Sequence, residues 1–146
     1  MKKNMEGGGR MSHEHVAIKE NVYYTKDHEW VKIENGNVRI GISDYAQKEL
    51  RDIVYIELPQ IGKKVKQFER LCSIESVKAV SDVYSPVSGE IVEVNRQLEN
   101  SPELLNKDPY GDGWIAIIKA EKIEEEIKNL MDAEKYKEYL KTLEKH

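Results

Sequence analysis

Cysteine is almost absent from this chain, and that scarcity excludes a good deal. Cys72 alone leaves no intramolecular disulfide and no cysteine-based zinc cluster, and no metal site is expected. In Arg70-Leu71-Cys72-Ser73-Ile74, strand alternation puts the thiol on the same face as Ile74. That placement predicts a buried small hydrophobe rather than a reactive group. Redox chemistry must then come from something attached to the protein. Long apolar runs are missing too; none approaches the roughly 18 residues of a membrane span. Massed positive charge is a third absence. The 23 Lys and Arg stand against 27 Asp and Glu, spread along the chain with a formal charge of −4, which argues against nucleic acid as a partner.

Histidines are few and badly placed for catalysis. His13, His15 and His28 come early, His146 is terminal, and no nucleophile motif surrounds Cys72, so a Cys–His hydrolase finds no support. Met1 to Arg10 carries Gly7-Gly8-Gly9 and Glu6, has too few arginines for an organelle transit peptide, and lacks the apolar stretch of a secretory signal. The expected organisation is a disordered extension over 1–20, with Met5 and Met11 as alternative starts, followed by one domain over 21–146. The expected compartment is the cytoplasm. At 146 residues and 39% hydrophobic content, one domain with one core is what the chain supports.

What is present is mostly short extended segments. Trp30 to Ile33 and Asn37 to Ile42 flank Glu34-Asn35-Gly36, which predicts a hairpin. Ser43 is placed to cap a short helix over Asp44 to Leu50. Val54, Ile56 and Leu58 alternate with Tyr55 and Glu57, the period of a half-buried strand. Val65, Leu71 to Glu75, Val80 to Tyr84, Glu90 to Val94 and Trp114 to Ile118 supply further strands, separated by turn-forming breaks. Many short strands at near-regular spacing predict a mainly β, compact barrel or sandwich. Toward the C-terminus, Ile123, Ile127, Leu130 and Met131 follow helical spacing. Tyr136, Tyr139, Leu140 and Leu143 do so after Asp132, a candidate cap, which predicts two short amphipathic helices packed on the barrel.

The stretch Ile74-Glu75-Ser76-Val77-Lys78-Ala79-Val80-Ser81-Asp82 places a lysine at or beside the tip of a hairpin. Position alone describes a solvated surface charge. Glu75-Ser76-Val77-Lys78-Ala79, however, resembles the attachment motif of the glycine cleavage H-protein family. Tyr24-Thr25-Lys26-Asp27-His28-Glu29-Trp30-Val31 is similar to that family's N-terminal signature. Gly41 to Gln47, Val54 to Pro59, Asp82 to Gly89, Val92 to Asn95, Leu105 to Tyr110 and Asp112 to Trp114 continue the resemblance in order. It spans roughly Tyr23 to Leu140.

The resemblance implies a barrel-sandwich hybrid fold of the lipoyl/biotinyl-carrier type, with a short internal helix and C-terminal helices. It implies a lipoic acid amide-linked to Lys78 on a non-catalytic, monomeric carrier with no catalytic residue of its own. The implied partners are a pyridoxal-phosphate glycine decarboxylase, a tetrahydrofolate-dependent aminomethyltransferase, a dihydrolipoyl dehydrogenase, and a lipoate ligase or other lipoyl-modifying enzyme. Between them the carrier shuttles the aminomethyl group of glycine and the dithiol; the cofactor carries the chemistry and the protein presents it. Glu29, with His28 beside it, and Asp82 correspond to an acidic cleft for the cationic amine of the loaded arm. Asp27 departs from the family pattern, in which a small hydroxyl residue is frequent. A biotin carrier would show Met-Lys-Met where Val77 and Ala79 flank this lysine. A 2-oxoacid dehydrogenase lipoyl domain would show Asp-Lys-Ala on a longer chain. An H-like protein that relays lipoyl groups to other enzymes would share the attachment motif.

Overall fold

The computed structural model describes residues 16–144. His13, His15, His146 and the alternative starts Met5 and Met11 lie outside the described residues. In order, the elements are β1 (Tyr23–Tyr24), β2 (Glu29–Glu34), β3 (Asn37–Ile42), α1 (Asp44–Leu50), β4 (Ile53–Glu57), β5 (Lys64–Val65), β6 (Arg70–Ser76), β7 (Val80–Tyr84) and β8 (Gly89–Val94). Then follow α2 (Gln97–Asn100), α3 (Leu104–Lys107), β9 (Ala116–Ala120), α4 (Ile123–Glu126) and α5 (Ala133–Glu144). Six strands form one sheet in the order β1-β2-β3-β9-β8-β5, and three form a second in the order β4-β6-β7. The paired strands in both sheets are antiparallel. This two-sheet architecture with short helices is the mainly β carrier-type fold expected from the sequence.

The β2–β3 hairpin closes as its turn residues dictate. Asn35 and Gly36 both have positive φ (49° and 84°), the pair of left-handed residues whose twist suits a two-residue connection, and Glu34 faces Asn37 across it. Along β3, Val38, Ile40 and Ile42 alternate inward and meet Ile56, Ile74 and Val83 of the smaller sheet in one core. Each such side chain contributes about 1.5–3 kcal/mol on burial. Ser43 caps α1 as expected, its hydroxyl accepting from the Ala46 amide at 3.2 Å.

Three segments differ from their sequence patterns. In β4 Ile56 is buried and Leu58 packs against the core as the alternation predicts, but Val54 is 52% exposed and Ile53 takes the inward place instead. A bulge between Ile53 and Tyr55 inserts one extra residue against β6 and shifts the alternation. The last strand begins at Ala116 rather than Trp114, because the Trp114 amide is held in a turn by the Gly111 carbonyl. The Ile123–Met131 segment makes only the single turn α4 and a 3₁₀ turn over Ile127–Asn129. Met131 instead pairs with Tyr24 through two backbone hydrogen bonds of 2.7 and 2.8 Å, which satisfies the groups that a longer helix would have withdrawn.

α5 forms as expected, with the Asp132 carboxylate accepting from the Lys135 amide at 2.8 Å. It packs in a second, smaller cluster of Val16, Val22, Tyr24, Trp30, Tyr136 and Leu140. Val16 is buried and the Ala17 amide donates to Asp44 Oδ2 at 2.8 Å. The Tyr110 hydroxyl donates to the Ala17 carbonyl, and the Tyr24 hydroxyl bonds both the amide and the carbonyl of Lys19. The packed chain thus includes residues 16–20, five residues ahead of the expected boundary.

Candidate functional site

β6 and β7 pair through Ser73–Asp82, Ile74–Ser81 and Glu75–Val80, leaving Ser76 to Ala79 as the tip. The Ser76 amide donates to the Ala79 carbonyl at 2.8 Å, and its hydroxyl accepts from the Lys78 and Ala79 amides, both at 3.1 Å. The Val77 amide donates to the Asp52 carbonyl at 2.9 Å, tying the tip to the segment that follows α1. The backbone around Lys78 is therefore fixed while its side chain is exposed; the ammonium donates to the Glu49 carbonyl at 3.3 Å. Such an amine is open to acylation, so the residues present fit a covalently attached acyl group. Val54, Tyr55, Val77 and Val80, all more than half exposed, gather at this end of the small sheet.

The three other residues expected near the arm do not converge on one open cleft. Asp82 lies on β7, two residues past its first residue Val80, about 7 Å along the strand at ~3.3 Å per residue. It is exposed, and Arg70 Nε donates to its Oδ1 at 3.0 Å while Arg70 Nη2 reaches Glu57 at 3.1 Å. Glu29 is 2% exposed and spans to the far end of the same strand, with the Tyr84 amide donating to Oε2 at 2.9 Å. The Thr25 hydroxyl donates to Glu29 Oε1, and Thr25 Oγ1 also accepts from the Asp27 and Glu29 amides. His28, in a left-handed conformation (φ 75°), turns away toward α5, where Nδ1 meets the Tyr136 hydroxyl at 2.8 Å. β7 thus runs from the tip that carries Lys78 past Asp82 to the Tyr84 amide that holds Glu29, and His28 anchors the turn leading into Glu29.

Ser76, Thr25, Arg70 and Tyr136 were not singled out in the sequence as site residues. The first two stand at short fixed offsets from Lys78 and Glu29, a spacing at which a hydroxyl reaches nearby backbone amides. Arg70 and Tyr136 reach their partners only through the fold. Cys72 is buried as expected, and burial pushes its thiol up to about 12. Among the described residues no helix is long and apolar enough to cross a membrane.

Burial pushes the Glu29 carboxyl up to about 7 from 4.5, the Thr25 and Tyr84 donors pulling the other way and Asp27 adding to the rise. Burial also lowers the adjacent His28 imidazole from 6.5 to about 4. Between pH 4.5 and 6.5 folding therefore puts a proton on Glu29 and takes one from His28. A raised carboxyl contributes stability that is present below its unfolded value and is lost as pH rises. A lowered imidazole contributes the reverse, and the two slopes cancel. Glu29→Gln is expected to leave only the histidine slope, so that its stability relative to wild type rises by about 1.4 kcal/mol per pH unit across that window. Urea denaturation at several pH values checks this; a constant offset between the two proteins would count against opposed titrations.

Two antiparallel sheets with Lys78 exposed on a braced β6–β7 tip agree with the carrier domain of the lipoyl/biotinyl type that the sequence resemblance implies. The sequence signatures also meet in space: Trp30 Nε1 donates to the Pro109 carbonyl at 3.0 Å, and Gly41 lies so close under the indole that a Cβ there would approach it to 2.8 Å. The family model described as glycine cleavage H-protein matches residues 22–143. A probable glycine cleavage system H protein of Pyrococcus horikoshii is 63% identical over 127 residues, covering 86% of this chain and 94% of the relative. The glycine cleavage system H protein of Coprothermobacter proteolyticus is 52% identical over 126 residues, covering 86% and 98%. The crystal structure of a glycine cleavage system H protein from Mycobacterium marinum superposes with a TM-score of 0.73 at 36% identity, covering 82% of this chain and 95% of that one. The chain belongs to the glycine cleavage H-protein family, whose members are the lipoate-bearing carrier component of the glycine cleavage system.

Proposed function

We propose that Lys78 carries lipoic acid in amide linkage, and that the protein conveys the aminomethyl group of glycine from a pyridoxal-phosphate decarboxylase to a tetrahydrofolate-dependent aminomethyltransferase. A flavin dihydrolipoyl dehydrogenase then reoxidises the dithiol. The observation that carries this reading is the exposed Lys78 amine on a tip whose backbone is held by Ser76 and Asp52, inside a chain that matches the family over 22–143. When bound, the lipoyl group supplies thiol–disulfide exchange and a sulfur able to hold a one-carbon amine.

The protein's own residues do the presenting. A fixed tip sets where the attached group starts, and tethering makes it an intramolecular reactant once a partner docks. The exposed Val77 and Val80 on either side of Lys78 form an apolar rim for that contact. Asp82 is an exposed carboxylate along the path away from the tip and would stabilise a cationic amine, with Arg70 competing for it. Glu29 would join it by turning from the Tyr84 amide, and His28 holds the loop from which Glu29 starts. Co-expression with a lipoate ligase is expected to add one lipoyl group by intact mass, located on the peptide containing Lys78. The lipoylated protein is expected to support glycine–bicarbonate exchange by the decarboxylase. Lipoylation without exchange would instead favour relay of lipoyl groups to other enzymes.

A further inference from the structure

Ser76 ends β6 and is 7% exposed, although it borders the most solvent-exposed end of the small sheet. Besides accepting from the Lys78 and Ala79 amides, its hydroxyl can donate to the Ala79 carbonyl at 3.2 Å. With the Ser76 and Val77 amides bonded to the Ala79 and Asp52 carbonyls, every backbone N–H from 76 to 79 has a partner. Two of the four depend on this one hydroxyl. A side-chain oxygen that gathers two successive amides fixes the backbone of a turn from within. The residues around it cannot replace that function, since Val77 and Ala79 have no polar side chain and the Lys78 ammonium points outward.

Resting on the reading that Lys78 is lipoylated, we propose that Ser76 is a positioning residue for that acylation: its hydroxyl sets the direction in which the Lys78 amine leaves the tip. In the step itself the amine, having given up its proton, attacks the carbonyl of an activated lipoyl donor. The N–C amide bond forms, the bond from that carbonyl to its activating group breaks with the electron pair leaving on that group, and the nitrogen's second proton passes to solvent. Ser76 takes no part in these bond changes. It acts by presenting a pre-set amine, so that the attaching enzyme need not order a mobile loop; misplacement of a reacting group by about 1 Å can cost on the order of a hundredfold in rate.

The test uses the full chain with a purified lipoate ligase, ATP and lipoate. Ser76→Ala is expected to lower kcat/KM for lipoylation roughly tenfold or more, and Ser76→Thr, which keeps the hydroxyl, to restore most of it. Hydrogen exchange at the Lys78 and Ala79 amides should accelerate in the alanine variant and recover in the threonine one. Acylation of Lys78 by a small untargeted reagent, an acetyl N-hydroxysuccinimide ester, should be unchanged in both, because the exposure of the amine is the same. If alanine lowers thermal stability, Ser76→Cys, isosteric with a weaker acceptor, serves for the same comparison. Wild-type lipoylation of Ser76→Ala, or a loss that threonine does not rescue, overturns the role of Ser76 while leaving Lys78 as the attachment point. A wild-type protein that takes up no lipoyl group overturns both.

Discussion

Lys78→Arg is expected to abolish lipoylation completely while leaving the protein folded. Arginine keeps the positive charge, and its side chain can keep a donor near the Glu49 carbonyl that now accepts from Lys78. What it lacks is a nitrogen that loses its proton and attacks a carbonyl, because the guanidinium stays charged under any working condition. The substitution thus separates the chemistry of the tip from its electrostatics. Packing should be indifferent to it, since Lys78 is exposed and the turn is held by Ser76 and Asp52 rather than by the lysine side chain. The melting temperature is expected to move by no more than about 2 °C, a change within the ±0.5 kcal/mol typical of surface substitutions. Intact mass after co-expression with a ligase reads the outcome directly. A lipoyl increment that survives in the arginine variant would place the attachment elsewhere and remove the basis for the carrier mechanism.

Where local rules decide structure, the sequence was a sufficient guide. The β2–β3 hairpin follows from two adjacent residues able to take positive φ, α1 from the hydroxyl of Ser43, and α5 from apolar spacing behind Asp132. In β4 only Val54 departs from the alternation, because a bulge is a property of two strands at once. Nothing within Val54-Tyr55-Ile56 signals the extra residue opposite β6. The Ile123–Met131 segment carries helical spacing, but its apolar residues cover the core from an irregular path and Met131 completes a pairing with β1. At the site, Lys78 was legible through ordered motifs, and its tip placement through the flanking strands. The burial of Glu29 was not. Glu29, Trp30 and Val31 are all buried in succession, which breaks alternation, because the start of β2 is covered on one side by Thr25 and Tyr84 and on the other by Pro109 and Tyr110. Covering both faces of one strand end takes elements some eighty residues apart, beyond the reach of any local pattern.

Tyr136→Ala is expected to cost about 4 kcal/mol of stability, within the 3–5 kcal/mol typical of truncating a buried aromatic ring. Tyr136 is fully buried, and its ring stacks on that of Tyr24 at 4.0 Å with the planes 4° apart. Its hydroxyl meets both His28 Nδ1 and Ser43 Oγ at 2.8 Å, joining α5 to the Glu29 loop and to the cap of α1. Tyr136→Phe keeps the stack and removes only the hydroxyl. Ser43 and His28 each lose a partner, though Ser43 retains its bond from the Ala46 amide, so about 1–2 kcal/mol is expected. Denaturant unfolding separates the two variants, and hydrogen exchange should show α5 opening in the alanine protein well below global unfolding. An alanine variant within about 1 kcal/mol of wild type would mean that α5 is held by Leu140 and its neighbours instead. The phenylalanine variant carries the functional contrast. It loosens the anchor of the Glu29 loop while the Lys78 turn keeps its separate ties to Ser76 and Asp52. Lipoylation of Tyr136→Phe should therefore proceed at the wild-type rate, and any change in the lifetime of a cationic amine on the arm would be traceable to the far end of β7 rather than to its tip.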